Sequence, residues 1–272
     1  MINVNEVVTK SIITKSNLPD ADYVINPYIG CPHKCIYCYA EFMKRFTNHK
    51  EPWGDFIDIK NSLKNIDVGK LSEKVVLLSS VTDAYNIFEK KYCVTQKILE
   101  QFIDSNANLE ILTKSNLILR DLPILIKIKN LKVGISLNTL DDNLRSMTEP
   151  RASSIEQRID TLKKLKDNGI KTYAFISPIF PEITNVFDII DRLEYFVDEF
   201  YFENLNLRGN YKKRFLDFIM ENFTNLYDLY RDIYNNNNDS YWDDMNLSIQ
   251  EYCKKKNIKY KIYFNHSNKS KT

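Results

Sequence analysis

The stretch Cys31-Pro32-His33-Lys34-Cys35-Ile36-Tyr37-Cys38 sets three cysteines at C-x₃-C-x₂-C spacing, with an aromatic residue directly before the third. Three thiolates from one short loop can each take one iron of a four-iron cluster and leave the fourth iron without a protein ligand. An open iron can bind a small molecule, so the spacing points to a reactive [4Fe-4S] cluster rather than a purely structural one. Four-cysteine zinc sites usually show two such pairs, whereas here Cys93 and Cys253 stand alone. The alternative is a non-catalytic metal-binding protein, with a structural zinc or a closed iron–sulfur site completed by a fourth protein ligand. His33, His49 and His266 are the only histidines for that place. His33 would have to reach back to the metal from between two ligands of its own tight loop.

Outward from this loop, apolar runs alternate with amphipathic segments. Residues 23–27 read as a strand that enters the loop, and 36–46 as a helix that leaves it. Runs at 74–80, 109–113, 131–137, 170–176 and 197–203 read as five more strands. Helical spacing lies between them, at 94–104, around 122–129, at 155–168 and at 185–196. Gly169 stands where a C-cap glycine closes a helix, and Ser177-Pro178 is expected to end the fifth strand. Six strands separated by helices predict a parallel sheet with right-handed crossovers. Ligands in α/β barrels sit at the C-terminal ends of the strands, which is where the cysteine loop falls. After Gly209 the pattern changes to helices at 214–223 and 241–256, a polar break at 235–238, a short strand at 259–264 and a frayed end at 267–272.

A chain of 272 residues is normal for one α/β barrel. Its 43% hydrophobic content is enough for a sizeable core, and 27% charged residues argue for solubility. No apolar run approaches the length of a membrane span, and residues 1–10 carry no apolar signal-peptide core. Three of five cysteines are clustered, which is no disulfide framework. A cytoplasmic location and no membrane partner are therefore expected. A net charge of +2 decides little about partners. The local basic runs at 163–166, 211–214 and 254–261 read as solvated faces.

The cysteine loop resembles the signature of radical S-adenosylmethionine (SAM) enzymes. The resemblance covers roughly residues 21–210 and is similar in order to the spore photoproduct lyase-like subgroup. It is carried by Tyr23-Val24-Ile25-Asn26-Pro27-Tyr28, Tyr37-Cys38-Tyr39-Ala40, Thr82-Asp83-Ala84-Tyr85, Thr113-Lys114-Ser115, Ile135-Ser136-Leu137, Glu149-Pro150-Arg151 and Ser177-Pro178-Ile179. It implies an α/β fold, the partial (β/α)₆ TIM-type barrel of that family. Residues 1–209 would form the core barrel with an N-terminal lead-in, and 210–272 a C-terminal helical extension packed on it.

The resemblance also implies a cofactor set and a reaction. Cys31, Cys35 and Cys38 would hold the [4Fe-4S] cluster, whose open iron chelates SAM. Reductive cleavage of SAM to methionine and a 5′-deoxyadenosyl radical would precede hydrogen-atom abstraction from an unidentified substrate, with nucleic acid modestly favoured. An electron donor of flavodoxin or ferredoxin type would be the partner. Tyr37 is placed to face the SAM adenine, with core packing the other role open to it. Lys114 would bind the SAM carboxylate as a compact donor, and Ser136 the ribose or carboxylate from the barrel interior. Ser79, Ser80, Thr82 and Asp83 end the second strand, where the family binds the SAM amino group. Asn138 and Arg151 are further cofactor-binding candidates, and the polar group Glu203, Asn204, Asn206 and Arg208 forms a candidate substrate rim. No catalytic side chain is picked out. Spore photoproduct lyases carry a hydrogen-donating cysteine near the end of the second strand, but this chain has Leu78-Ser79-Ser80. That departure argues against thymine-dimer repair. Cys93 lies nearby and reads as a buried structural thiol.

Overall fold

The computed structural model describes residues 1–9, 11–61 and 66–264. Its strands are β1 (Asn3–Val7), β2 (Ile13–Lys15), β3 (Tyr23–Ile25), β4 (Tyr28–Ile29), β5 (Phe56–Lys60), β6 (Val75–Leu78), β7 (Asn108–Thr113), β8 (Leu131–Leu137), β9 (Lys171–Ile179), β10 (Glu199–Asn204) and β11 (Tyr260–Ile262). The main sheet has the order β11-β10-β9-β8-β7-β6-β3-β2. All pairs from β3 to β11 are parallel, and only the edge strand β2 runs antiparallel. The six expected strands are β3, β6, β7, β8, β9 and β10, in spatial order along the sheet. The fold is mixed α/β. Among the described residues the sheet stays open between β2 and β11, consistent with a partial barrel.

The two faces of this sheet differ in chemistry because side chains alternate along each strand. Val76, Leu78, Leu109, Ile111, Val133, Ile135, Ala174, Ile176, Phe200 and Phe202 are buried and form the apolar core. The helix Ile155–Asp167 supplies much of its cover through Ile155, Ile159, Leu162 and Leu165. Ser154 and Gln157 form a reciprocal cap at its start, and Gly169 follows its end at φ +76°. The alternate positions carry polar and aromatic groups, among them Glu110, Lys132, Tyr173, Ser136, Ser177 and Glu203.

Several expectations are corrected. The segment after the cysteines is a 3₁₀ helix, Tyr39–Phe46, rather than an α-helix from residue 36, because residues 31–38 are occupied by the loop itself. Strand β9 does not stop at Ser177-Pro178 but runs through this cis peptide to Ile179. Its pairing with β10 shifts register between Phe202 and Asn204. A second sheet, β1-β5-β4, was not anticipated. Strand β5 is buried at Phe56, Ile57, Asp58 and Ile59, so it shows no alternation, and β1 is mostly polar and exposed. Beyond residue 208 the helices are Gly209–Asn222, Tyr227–Asn235 and Ser240–Lys255. The middle one went unread because tyrosines carry its apolar stripe. Strand β11 lies parallel to β10, and the expected frayed end at 267–272 lies outside the described residues.

Gly134 has a packing reason to be glycine. A Cβ there would lie 2.1 Å from the Tyr173 ring, which crosses the sheet face above it. Gly134→Ala is expected to cost about 1–3 kcal/mol through overpacking. The check is the urea unfolding midpoint. In a Tyr173→Leu background the same substitution should cost clearly less, because the obstructing ring is gone.

Candidate cluster and cofactor site

The cysteine loop connects β4 to the 3₁₀ helix and is wedged between the two sheets. Gly30 precedes it at φ +86°, and a Cβ there would meet the Phe56 carbonyl oxygen at 2.6 Å. Lys34, at φ +56°, packs on Gly54, where a Cβ would lie 2.7 Å from the Lys34 Cγ. Both glycines let the loop lie directly against the β5 side. Cys31 and Cys38 pack on an apolar cluster of Ala40, Trp53 and Phe56, and Cys35 packs against the main core.

Burial pushes the pKa of all three thiols up. Nearby Asp83 and the other thiols add to this at Cys31, and Glu149 adds at Cys35. Lys114 partly offsets the effect at Cys35 and Cys38. Three sheltered thiols with a raised pKa are poor free nucleophiles. They fit a role in which bound cations deprotonate them.

His33 is not available as a metal ligand. Its Nδ1 lies 3.1 Å from the Arg151 carbonyl oxygen, and its Nε2 lies 3.0 Å from Asp83 Oδ2. Among the described residues no three or more His, Cys, Asp or Glu side chains converge as one metal ion would require. A cube spreads its thiolates over separate irons, so this donor set fits a cluster better than a single zinc.

The ends of β6, β7 and β8 bring the remaining candidates close to the loop. Asp83 accepts from Thr113 Oγ1 at 2.7 Å, from the Lys114 backbone N–H at 2.9 Å and from the Tyr85 N–H at 2.8 Å. Burial alone would raise its pKa, but the His33 ring and these donors hold it at about 2. Lys114 Nζ donates to Ser136 Oγ at 2.8 Å and stands 3.8 Å from Glu149 Oε1. Ser136 Oγ in turn donates to the Ser177 carbonyl at 3.2 Å. Ser79 is buried in the left-handed region at φ +77°, and its hydroxyl has no partner. The Asn138 Oδ1 is also buried without a partner, while its Nδ2 reaches Tyr37 at 3.5 Å. Two orphaned polar atoms just past the ends of β6 and β8 are what a polar ligand would satisfy.

Tyr37 lies on the inside of the loop. Its hydroxyl donates to Glu149, and its ring meets Phe180 edge-on at 5.4 Å. Other candidates are engaged with the protein. Ser80 exchanges hydrogen bonds with Asn26, and Thr82 donates to the Gly30 carbonyl at 2.6 Å. Arg151 clamps the cysteine loop, donating to the carbonyls of Gly54 at 2.7 Å and Pro32 at 3.4 Å and to Asp55 at 3.1 Å. Of the rim group, Glu203 accepts from Ser177 Oγ at 2.6 Å, and burial raises its pKa. Arg208 donates to Asn206 at 2.9 Å. Cys93 is partly exposed rather than buried. It joins two helices at φ +51°, with Arg120 Nη1 3.8 Å from its sulfur.

Sequence reasoning missed the partnership of Glu149 and Arg158. Both are fully buried. Arg158 donates to Glu149, to the Ser136 carbonyl at 2.9 Å and to the Ser153 carbonyl at 2.9 Å. The signal was available, because Arg158 falls on the apolar stripe of its helix, three residues after Ile155 and four before Leu162.

The chain belongs to the radical SAM superfamily, whose profile matches residues 25–193. It is 40% identical over 228 residues to an uncharacterized protein of Methanocaldococcus jannaschii, covering 84% of this chain and 86% of that one. Its fold is similar to that of spore photoproduct lyase complexed with dinucleoside spore photoproduct. There the TM-score is 0.70 at 16% identity, over 96% of this chain and 82% of the lyase. Streptococcus suis SuiB bound to S-adenosylmethionine gives a TM-score of 0.55 at 15% identity, over 89% of this chain and 48% of that protein.

Arg158→Met is expected to lower stability by about 3–5 kcal/mol, because it leaves the Glu149 carboxylate buried without its strongest partner. The urea midpoint should fall at unchanged m-value. The double variant Arg158→Met/Glu149→Gln should recover part of the loss.

Proposed function

We propose that this protein is a radical SAM enzyme in which Cys31, Cys35 and Cys38 hold a [4Fe-4S] cluster and SAM binds its open iron. The observation that carries the reading is one loop that presents three partly buried thiols close to the ends of β6, β7 and β8, where Lys114 bonds Ser136 and the Ser79 and Asn138 oxygens are unpartnered. When bound, the pair supplies reductive cleavage of SAM to methionine and a 5′-deoxyadenosyl radical, which abstracts a hydrogen atom from substrate. The protein's part is positioning. Lys114 would donate to the SAM carboxylate, Ser136 would contact the carboxylate or ribose, and the Ser79 and Asn138 oxygens would accept from the amino or ribose groups. Asp83 holds the β7 end against His33 and so sets the height of Lys114 above the cysteine loop. Tyr37 forms one wall. We read residues 1–209 as the core and 210–272 as a helical extension on it. Packing of the extension on the core includes Phe180–Phe215 at 5.0 Å, and strand β11 joins the main sheet beside β10.

The substrate reading favours nucleic acid, supported by the fold likeness to a lyase solved with a dinucleoside. With Ser79 at the end of β6 and Cys93 tied to Arg120, no thiol outside the cysteine loop stands as an evident hydrogen-atom donor there. A reaction that ends on the substrate radical's further chemistry, or on a different hydrogen donor, fits this chain better than dimer repair. A flavodoxin- or ferredoxin-like donor in a reducing cytoplasm would supply the electron. No helix among the described residues is long and apolar enough to cross a membrane.

Anaerobic reconstitution is expected to give about four irons and four sulfides per chain. One tightly bound zinc without sulfide would contradict the reading. Lys114→Ala should keep the cluster but weaken SAM binding by roughly tenfold to a hundredfold, the value of about 1.5–3 kcal/mol for a lost charge-assisted hydrogen bond. Cys35→Ala should abolish both the intact cluster and SAM cleavage. Iron analysis and equilibrium SAM binding on the two variants separate these roles.

A further inference from the structure

The 3₁₀ helix Tyr39–Phe46 begins directly after Cys38, which is its N-cap residue. Its two faces differ sharply. Ala40 and Met43 turn inward and join Trp53 and Phe56 against Cys31 and Cys38. Phe42 and Phe46 turn outward and are 45% and 67% exposed. The Arg45 guanidinium lies over both rings, 5.5 Å from the Phe42 centroid and 4.7 Å from the Phe46 centroid. Two large rings that share one cation form a preorganised contact face rather than scattered surface apolar groups.

The charge of this face is mainly positive, and Glu51, which follows it, is engaged by Asn3 at 2.7 Å and His49 at 3.3 Å. Glu41, the only acid between residues 39 and 50, is paired with Arg214 at 2.7 Å, and Arg214 also donates to the Ile36 carbonyl at 2.9 Å. Lys44 donates to the Lys50 carbonyl at 3.1 Å. None of Lys44, Arg45 and Lys50 meets a carboxylate among the described residues. The face is therefore apolar at its centre and positive around it, and only one short helix separates it from the thiols.

We propose that this face docks an acidic one-electron carrier protein of flavodoxin type, which delivers the electron to the cluster through the Cys38 side of the loop. The inference rests on the cluster reading above and adds the partner's seat. The transfer moves one electron. The carrier is oxidised by one, the cluster is reduced by one, and no covalent bond of either protein changes. A small, salt-sensitive contact is sufficient, because transient redox encounters lie at the low end of interface size and are steered by complementary charge. The position suits a reductant better than a substrate, because the inner face of the same helix touches the cluster cysteines.

The test uses the reconstituted protein, a purified flavodoxin and dithionite. Flavodoxin binding is measured by calorimetry at low and high salt, and the rate of cluster reduction is followed optically with each reductant. Arg45→Glu and the double variant Phe42→Ala/Phe46→Ala are each expected to weaken flavodoxin binding about tenfold and slow reduction by flavodoxin to match. Their dithionite rates should stay within about twofold of wild type, while Arg45→Lys keeps most of the flavodoxin affinity. Wild-type affinity should fall as salt rises. Equal flavodoxin affinity in wild type and both variants overturns the proposal. Parallel loss of the dithionite rate also overturns it, since the helix would then be supporting the cluster. Normal flavodoxin binding with lost binding of a single-stranded oligonucleotide would assign the face to nucleic acid instead. Wild-type protein that binds flavodoxin but never cleaves SAM counts against the enzyme reading, not against the docking face.

Discussion

Glu149 is a carboxylate with no exposure to water, and the geometry around the cysteine loop depends on how its charge is met. An unpaired buried carboxylate is strongly destabilising. Here the partners come from three parts of the chain: Tyr37 in the loop, Arg158 in the helix Ile155–Asp167 and Lys114 at the end of β7. Burial would raise the Glu149 pKa, but Arg158 and Lys114 bring it below the ordinary value. Because Arg158 also donates to the Ser136 carbonyl, the same charge ties the loop to the end of β8. Loop, β7 and β8 are thereby held at one spacing, and Lys114 stays extended over the barrel mouth rather than free in solvent.

The cysteine loop is gripped from the other side by a different chemistry. The small sheet β1-β5-β4 presents Phe56, and the turn before β5 presents Trp53, to Cys31 and Cys38. Arg151 and the Lys34–Asp55 ion pair at 2.6 Å stitch the loop to residues 54 and 55. His33, flanked by two of the cysteines, is turned away from them by Asp83 and the Arg151 carbonyl. The residue best placed in sequence to close a four-ligand site is thus used to fix the loop instead. A loop held on both sides can present three thiols without a fourth ligand, which a reactive cluster requires.

Aromatic packing then carries the C-terminal helices onto this assembly. The rings of Tyr37, Phe180, Phe215 and Tyr230 follow one another at 5.4, 5.0 and 6.1 Å. Arg214, on the helix Gly209–Asn222, bonds the Ile36 carbonyl and Glu41. Arg214, more than 170 positions away in sequence, thus braces both the residue beside Tyr37 and the outer 3₁₀ helix.

The sequence alone determined the parts whose signals are local. The C-x₃-C-x₂-C spacing is a property of eight consecutive residues, and the six strands announce themselves as short apolar runs because β-sheet periodicity is read within five or six residues. The strand-end position of Lys114 and the alternation that sets Ser136 apart from Ile135 and Leu137 were legible for the same reason. Tertiary structure alone decided which polar groups are free and which are engaged. Asp83, Thr82 and Arg151 looked like cofactor contacts, yet they meet Thr113, Gly30, Gly54 and Asp55, partners 30 to 97 positions away. Strand β5 was hidden because burial on both faces erases alternation, and Glu149 because a buried charge is recognised by its partners and not by its neighbours in the chain. Hydrogen bonds and ion pairs between distant segments leave no period in a sequence, and so the orphaned oxygens of Ser79 and Asn138 become visible only once the donors and acceptors around them have been assigned.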